Sequence, residues 1–264
     1  MDRSADVSSL IGVIHLQPLP GSPRYGGSFA AVADAAAEDA VTLAQAGFDG
    51  VIVENLGDLP LSPDRVDTVT VAAMTRCALA VRQAAATLTM GINVLRNDAA
   101  AALAIALAVE ARMVRINVHC GARLTDQGII QGQAHATLRQ RHELGLETVK
   151  LLCDVAVKHS TALAPRPIEQ EALETVERGL ADALLVTGAG TGLPASRTEL
   201  AAVLGAVDVP VLVASGVTIE SVATTREAHG VIVGSCLRRS GRAGDRIDAT
   251  LAAEFAEAFR QSRR

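Results

Sequence analysis

Three features of this sequence predict a single (β/α)₈ TIM barrel, an α/β fold in which eight parallel strands alternate with helices. The chain has 264 residues, about the length of one such barrel. It is 49% hydrophobic but only 2% aromatic, so the core must be built from Ala, Val, Leu and Ile. These residues suit a parallel sheet that is covered by helices. Eight apolar, β-branched runs of strand length also follow one another along the chain.

The eight predicted strands alternate with segments of helical pattern, which is the order of a closed parallel barrel. A doubly wound open sheet is the competing fold, and it usually has fewer repeats at this length. No linker or low-complexity segment divides the chain, so we expect one domain over residues 1–264, with the active-site face at the carboxyl ends of the strands. The predicted strands are Ile11–Ile14, Gly50–Val53, Leu88–Ile92, Met113–Ile116, Val149–Val155, Ala183–Val186, Val211–Ala214 and Val231–Val233.

Capping signals locate several of the predicted helices. An Ala-rich segment ends at Gly47, a residue type that often terminates helices. A second helix is expected within Pro167–Gly179, with proline near its first turn. Ser196 and Glu199 form a capping box, and a last helix is expected over roughly Asp245–Gln261.

Charge, cysteine spacing and hydropathy exclude several classes of protein. The net charge of −5 and the lack of a long basic stripe argue against a nucleic-acid partner. The longest apolar run, Ala99–Val109, is too short to span a bilayer. The N-terminus shows no hydrophobic signal region, and the four cysteines form neither a zinc motif nor a disulfide framework. We therefore expect a cytoplasmic protein with no membrane span.

Known cofactor and nucleophile motifs are absent from the sequence. The segment GAGTG, residues 188–192, has its third glycine at position 192, whereas the dinucleotide motif G-x-G-x-x-G needs it at position 193. There is also no P-loop motif. The segment HELGL, residues 142–146, lacks the second histidine of a zinc protease helix, and there is no G-x-S-x-G elbow. We expect no cofactor and no metal.

Every predicted strand is followed by a polar residue at its carboxyl end, where barrel enzymes place their chemistry. A barrel that served stability alone would leave several of these ends without a polar group. This convergence is the main sequence argument for a functional site. The residues are His15, Glu54, Asn55, Asn93, Arg115, Asn117, His119, Asp154, Lys158, His159, Thr187, Ser215, Gly216, Gly234 and Ser235.

The last two strands both end in glycine and serine, which predicts a phosphate site. Loops at this place in a barrel often bind phosphate, and glycine lets backbone N–H groups approach an anion closely. Thr218 could cap a helix whose N-terminus adds positive charge, and Arg238 and Arg239 could supply countercharge. The alternative is a pair of tight turns. The predicted phosphate contacts, called the phosphate cradle below, are Ser215, Gly216, Gly234 and Ser235.

The predicted catalytic residues are Asp154, Glu54, His15 and Lys158. Asp154 and Lys158 have the same strand parity and could share acid–base work, or form a structural ion pair. Lys158 is one of only two lysines beside 22 arginines, and a desolvated lysine could form a Schiff base. Glu54 could be a second acid or base, or an ion-pair partner of an arginine. His15 could be catalytic, or a hydrogen-bonded histidine of the barrel top.

Several segments distributed over nearly the whole chain stand out: GVIHLQPLPGSPRYGG, GFDGVIVENLGD, GINVLRND, RINV, TDQGI, CDVAVKHS, LLVTGAGTG, VPVLVASGVT and GVIVGSCLRR. Together, and in this order, they resemble the BtpA/SgcQ family. The opening H-L-x-P-L-P-G-S-P and the V-E-N-x-G-D segment are the most specific. This sequence departs from the family at Ala156, at His119–Arg123 and at Gly188–Gly190.

The resemblance implies a barrel of the ribulose-phosphate-binding type. The family name comes from a thylakoid-associated factor needed for photosystem I accumulation, and other members resemble genes of sugar-phosphate or nucleoside catabolism. The residues that match family motifs are His15, Glu54, Asn55, Asp58, Asn93, Arg96, Asn97, Asp98, Arg115, Asn117, Asp126, Asp154, Lys158, His159, Thr187 and Thr191.

The sequence therefore predicts an enzyme that acts on a small phosphorylated ligand, a sugar phosphate or nucleotide-like molecule. The reaction is left open between glycosidic-bond cleavage or transfer and isomerase or aldol-type chemistry. The alternatives are a non-catalytic assembly factor of the photosystem I biogenesis type and a ligand sensor. Association into a homo-oligomer is also left open. The predicted substrate-binding residues are Asn55, Asn93, Arg96, Arg115, Asn117, His159 and Thr187.

Overall fold

The computed structural model describes residues 7, 9–164, 166–188, 190 and 194–263. The strands within them are β1 Leu10–His15, β2 Gly50–Glu54, β3 Thr89–Asn93, β4 Met113–Ile116, β5 Ala122–Thr125, β6 Gly128–Gln131, β7 Lys150–Val155, β8 Ser160–Ala162, β9 Ala183–Val186, β10 Val211–Val213 and β11 Gly230–Val233. The α-helices are α1 Phe29–Ala46, α2 Thr68–Ala84, α3 Ala99–Val109, α4 Ala134–Glu143, α5 Ile168–Glu177, α6 Arg197–Ala206 and α7 Ala249–Ser262.

Eight of these strands form a closed barrel in the order β1-β11-β10-β9-β7-β4-β3-β2. All neighbouring barrel strands pair in parallel, and β1 closes the barrel by pairing with both β2 and β11. The predicted barrel is therefore confirmed, and each predicted run corresponds to one barrel strand with bounds that shift by at most one residue.

Alternate residues of the barrel strands face the interior, and this alternation places the polar residues together. Apolar side chains including Ile52, Met113 and Leu152 fill the barrel interior as one cluster. Because side chains two positions apart on a strand face the same side, Glu54, Arg115 and Asp154 lie directly above that cluster. His15 and Asn93 have the corresponding positions on β1 and β3. A layer of polar residues thus lies on this apolar cluster, at the carboxyl end of the barrel.

The caps of the helices agree with the sequence signals. Gly47 ends α1 in the left-handed conformation with φ 82°. Ser196 caps α6 by accepting a hydrogen bond from the N–H of Glu199 at 3.4 Å. The last helix starts later than expected, because the carboxylate of Asp248 accepts from the N–H groups of Thr250 and Leu251 and so defines the first turn.

A three-stranded antiparallel sheet, in the order β6-β5-β8, was not predicted from the sequence. The hairpin of β5 and β6 lies in a segment for which we predicted no strand. Gly128 has φ 93° and supplies the turn, and Ile130 packs with Val118 and Val157 in a separate apolar cluster. The alternation of apolar and polar residues within Ala122–Gln131 covers too few positions to indicate strands by itself.

The helix that we expected after the seventh barrel strand, β10, is absent, and this expectation was wrong. Ser221 Oγ accepts a hydrogen bond from the N–H of Thr218 at 2.9 Å, and the hydroxyl of Thr218 accepts one from the N–H of Ser221 at 3.3 Å. These side-chain bonds close a local turn that competes with helix formation. Only a short 3₁₀ segment, Val222–Thr225, follows.

Hydropathy gives one further observation about the helices. Among the described residues, no helix combines the length and the apolar character that crossing a membrane requires.

Candidate active site at the mouth of the barrel

Two adjoining cavities open at the carboxyl ends of the barrel strands. The larger has a volume of about 640 Å³ and the smaller one of about 40 Å³. Ligand sites usually measure about 300–1,000 Å³. The residues that line both cavities, and so mark their junction, are Glu54, Leu56, Arg115, Lys158 and Ala243.

Arg115 is held at the junction by a buried ion pair with Asp154. The guanidinium donates through Nε at 3.3 Å and through Nη2 at 3.1 Å to the two carboxylate oxygens. Asn117 donates to the same carboxylate at 2.6 Å. The Asp154 side chain is 0% exposed, and its oxygens face these donors rather than either cavity. Its contacts are those of a residue that orients Arg115.

Glu54 is the carboxylate that lines both cavities. One of its oxygens lies 4.0 Å from Arg115 Nη1, and the other lies 3.7 Å from His15 Nε2. Burial lowers the pKa of His15 well below its usual value, and the positive charges of Arg238, Lys158 and Arg115 lower it further. The imidazole is therefore neutral near pH 7, and we read the 3.7 Å contact as a dipolar contact rather than a salt bridge. Its Nδ1 is buried without a partner among the described residues.

Lys158 follows the end of β7, and its backbone is fixed on both sides. Its N–H donates to Thr187 Oγ1 at 3.1 Å, and its carbonyl accepts from Arg96 Nη2 at 2.7 Å. Burial lowers the pKa of its ammonium, and Arg115 lowers it further, against the opposing effect of Glu54. Within the described part of the chain, no carboxylate lies within 4.0 Å of this ammonium.

The phosphate cradle lines the smaller cavity, next to His15 and Lys158. The backbone N–H groups of Gly216 and Ser235 donate to no other described residue, so both are available to a ligand. A volume of about 40 Å³ is room for roughly three waters, at ~10–15 Å³ for each. Gly234 has no space for a side chain, because an added Cβ would lie 2.7 Å from His15 Cε1.

Arg238 and Arg239, from which we expected countercharge, do not line the smaller cavity, although the positive charge of Arg238 acts on His15 beside the cradle. Arg238 is 2% exposed and donates to the backbone carbonyls of Gly234, Val13 and Asp245. It fixes the loop behind the cradle. The Arg239 guanidinium lies outside the cavity, paired with Asp248.

Several predicted substrate-binding residues lie outside the cavity walls and hold other residues in place. The amide of Asn55 accepts from the N–H of Leu95 at 2.7 Å and donates to Asp58 at 3.1 Å. Asn93 donates to the backbone carbonyl of Arg115 at 3.0 Å. Together with Thr187, these residues position the lining rather than forming it. Arg96, Arg115, Asn117 and His159 do line the larger cavity, and their predicted role in substrate binding stays a prediction.

Sequence reasoning missed two groups of lining residues. One is a set of leucines, which includes Leu56, Leu59 and Leu61 from the loop after β2. The other is the exposed rim of the mouth, which includes Arg24 and Arg242. Three leucines within the short segment LGDLPLSP are unusual for a turn-rich loop, and this was the available signal.

Two residues singled out in the sequence, His119 and Thr191, are not among the described residues that line the two cavities. His119 is buried away from the cavities, where its Nε2 lies 2.8 Å from the carbonyl of Gly179. Thr191 and part of the GAGTG segment lie outside the described residues. Among the described residues, no group of three or more His, Cys, Asp or Glu side chains could hold a metal ion.

Relatives of known sequence cover almost the whole chain. An uncharacterized protein of Thermococcus kodakarensis is 45% identical over 257 residues, which are 96% of this chain and 97% of the relative. The photosystem I biogenesis protein BtpA of Synechocystis is 42% identical over 252 residues, which are 95% of this chain and 87% of the relative.

Solved structures share the fold at low sequence identity. N-(5′-phosphoribosyl)anthranilate isomerase of Pyrococcus furiosus superimposes with a TM-score of 0.60 at 15% identity, covering 96% of this chain and 99% of that one. Thiamine phosphate pyrophosphorylase of the same organism gives 0.59 at 15% identity, covering 96% of each chain. The family model for BtpA matches residues 6–261, and the chain therefore belongs to the BtpA family.

Proposed function

We propose that this protein is an enzyme that acts on a phosphorylated sugar or nucleotide-like substrate by acid–base chemistry. The observation that carries the proposal is the junction of the two cavities, where Glu54, Arg115 and Lys158 meet directly beside the phosphate cradle. Two titratable groups and a fixed cation therefore lie within reach of one bound molecule. The two structural neighbours are themselves named for phosphorylated compounds, which agrees with this proposal.

The phosphoryl group would occupy the smaller cavity. Gly216 and Ser235 line that space, and their N–H groups have no acceptor among the described residues. Backbone donors of this kind can bind anions without a nearby helix N-terminus. Lys158 and Arg115 line the same cavity, so two positive charges oppose the charge of the phosphate. Since the expected helix is absent, the positive charge at this site would come from these two side chains and not from a helix dipole.

Glu54 would transfer the proton in the reaction. It lines both cavities, whereas Asp154 lines neither and is occupied by Arg115 and Asn117. We therefore assign the acid–base role to Glu54 and a positioning role to Asp154. Neutral His15 can donate or accept a hydrogen bond beside the cradle, and Lys158 can stabilise negative charge on a substrate oxygen.

This set of groups fits a reaction at a sugar carbon. In glycosidic-bond cleavage or transfer, Glu54 would protonate the leaving atom as its bond to the sugar carbon breaks, and a water molecule or an acceptor substrate would form the new bond to that carbon. The same groups serve an isomerase or aldol-type step, because each of these reactions needs a proton donor or acceptor beside a polarised oxygen. Glu54→Gln should remove turnover and keep binding of the phosphorylated ligand.

A thermal-shift screen tests the phosphate site. Ligands that bind only the folded protein raise Tm by mass action, so ribose 5-phosphate, nucleotides and inorganic phosphate form the panel. Gly234→Asp introduces a carboxylate into the cradle and should abolish the shift, and Ser235→Asp should do so without adding a side chain at a glycine. Gly205→Asp is the matched control, since Gly205 has open space around it on α6. Loss of the shift in Gly205→Asp as well, or its survival in Ser235→Asp, would contradict the phosphate site.

A second candidate is a non-catalytic assembly role, as the name of the Synechocystis relative indicates for that protein. The observation that favours it is the outer face of the β6-β5-β8 sheet, where Leu124 and Ile129 are 49% and 56% exposed, with Leu163 directly after β8 at 54%. Exposed apolar patches often contact other proteins. A folded protein that binds no compound of the panel, and whose Leu124→Ser/Ile129→Ser variant loses a partner, would favour this role.

A further inference from the structure

Four leucines of the larger cavity form a surface that we call the leucine wall: Leu56, Leu59, Leu61 and Leu95. None of the four belongs to the apolar clusters that make up the core of the described residues, or packs against them as a partly buried neighbour. Leu59 is 37% exposed, Leu56 and Leu61 are half-buried, and Leu95 is buried at 3%. All four line the larger cavity, in which a ligand would lie.

The leucine wall is fixed in place rather than loosely attached. Asp58 accepts a hydrogen bond from the N–H of Leu19 at 2.8 Å and one from the side chain of Asn55 at 3.1 Å. Asn55 in turn accepts from the N–H of Leu95 at 2.7 Å. Gly57 packs so closely on the β1–α1 loop that an added Cβ would lie 2.5 Å from the backbone nitrogen of Pro18. These contacts join three loops and keep an apolar surface preformed.

The position of the leucine wall relative to the cradle indicates which part of a ligand it would contact. Of the two adjoining cavities, Leu59, Leu61 and Leu95 line the larger and not the smaller, so they lie beyond the junction as seen from the cradle. The hydroxyl groups of a sugar need hydrogen-bond partners, which leucine cannot offer. A cavity of about 640 Å³ also exceeds what a simple sugar phosphate needs, since volumes of this size usually hold drug-sized molecules.

We propose that the leucine wall binds an apolar group, an aromatic ring or a hydrocarbon, that the substrate bears on the far side of its sugar from the phosphate. This inference rests on the proposed function, because it takes the cradle as the phosphate site. The substrate is then an amphiphilic phosphate ester, and free sugar phosphates are weak ligands. Polar residues of the mouth, such as Arg24 and Arg242, are exposed and line the same cavity at its rim.

Calorimetric titration with four probes tests this inference: inorganic phosphate, ribose 5-phosphate, adenosine 5′-monophosphate and a pentyl riboside 5-phosphate. The last two add a ring or a hydrocarbon chain to the same sugar phosphate. At least one of them should bind ten or more times as tightly as ribose 5-phosphate, because a tenfold gain needs burial of only about 60 Å² of apolar surface. The tighter of the two identifies the source of the apolar group as ring or chain.

Matched variants locate the gain at the leucine wall. Leu59→Asn should reduce binding of the tighter probe at least threefold and leave ribose 5-phosphate unchanged. Leu79→Asn is the control, since Leu79 on α2 has almost the same exposure, 38% against 37%. Leu61→Asn repeats the test if Leu59→Asn folds poorly.

The outcomes separate the inference from the function beneath it. If ribose 5-phosphate binds as tightly as both larger probes, or if Leu59→Asn behaves as Leu79→Asn does, the apolar subsite is wrong while the phosphate site stands. If no phosphorylated probe binds the folded protein, the proposed function itself is wrong and the subsite falls with it.

Discussion

Asp154→Asn removes the negative charge that holds the Arg115 guanidinium in the barrel. The two side chains are 0% and 4% exposed, so the remaining arginine charge stays buried. Breaking one partner of a buried pair costs ~3–5 kcal/mol of unfolding free energy. Glu54 stays 4.0 Å from Arg115 and retains part of the attraction, so we expect the lower end of that range.

The hydrogen-bond network adds to the cost of Asp154→Asn. Asn117 donates to the Asp154 carboxylate and accepts from Asn93 at 3.2 Å. One asparagine oxygen cannot satisfy the donors that two carboxylate oxygens satisfied. At ~2–4 °C for each kcal/mol in a chain of this size, Tm should fall by about 10 °C.

Urea denaturation and thermal unfolding measure the effect of Asp154→Asn against two matched variants. Glu110→Gln breaks an exposed pair with Arg82, whose side chains are 76% and 41% exposed, and should cost below about 1 kcal/mol. The double variant Arg115→Met/Asp154→Leu replaces the pair with apolar side chains and should recover most of the loss. If Asp154→Asn costs no more than Glu110→Gln, the view of Asp154 as the residue that holds Arg115 is refuted.

Three further predictions follow from the same geometry. Because the pKa of His15 is lowered in the folded protein, the unfolded chain takes up a proton at this residue below about pH 6.5 while the folded protein does not. The free energy of unfolding therefore decreases as the pH falls. His15→Gln should remove up to ~2 kcal/mol of the decrease between pH 7 and pH 5, as measured by urea titrations. An unchanged loss would contradict this. Thr187→Val removes the acceptor of the Lys158 N–H and should lower the free energy of unfolding by ~1 kcal/mol. Turnover should fall by more than this loss of stability explains, and normal turnover would count against the view that Thr187 positions Lys158. Gly57→Ala places a Cβ 2.5 Å from a backbone atom and should cost ~1–3 kcal/mol in thermal unfolding, whereas an unchanged Tm would show that the loops can separate.

Periodicity and chain order predicted the barrel because both are local properties. Apolar runs such as Met113–Ile116 and Ala183–Val186 are continuous in sequence, and the structure has them with the same bounds. The polar residue at each strand end, such as Glu54, also follows from order alone, since parallel strands carry their carboxyl ends to one face.

Local signals failed where side chains compete with backbone structure. The sequence from Thr218 onward has a good cap for a helix, yet the hydroxyls of Thr218 and Ser221 close a turn instead. The hairpin at Ala122–Gln131 packs against Val118 and against Val157, which comes from the loop after β7. The turn is a choice between two local structures, whereas the hairpin depends on a contact with another part of the chain.

The sequence by itself determined the fold class, the face on which the candidate site lies and the residue types found there. Only the tertiary structure decided which of those residues reach a cavity. Asp154 and Glu54 look equivalent in sequence, but Asp154 is occupied by Arg115 and Asn117, whereas Glu54 faces both cavities. The physical reason is that a carboxylate's role depends on the donors around it, and those donors come from strands far apart in the chain.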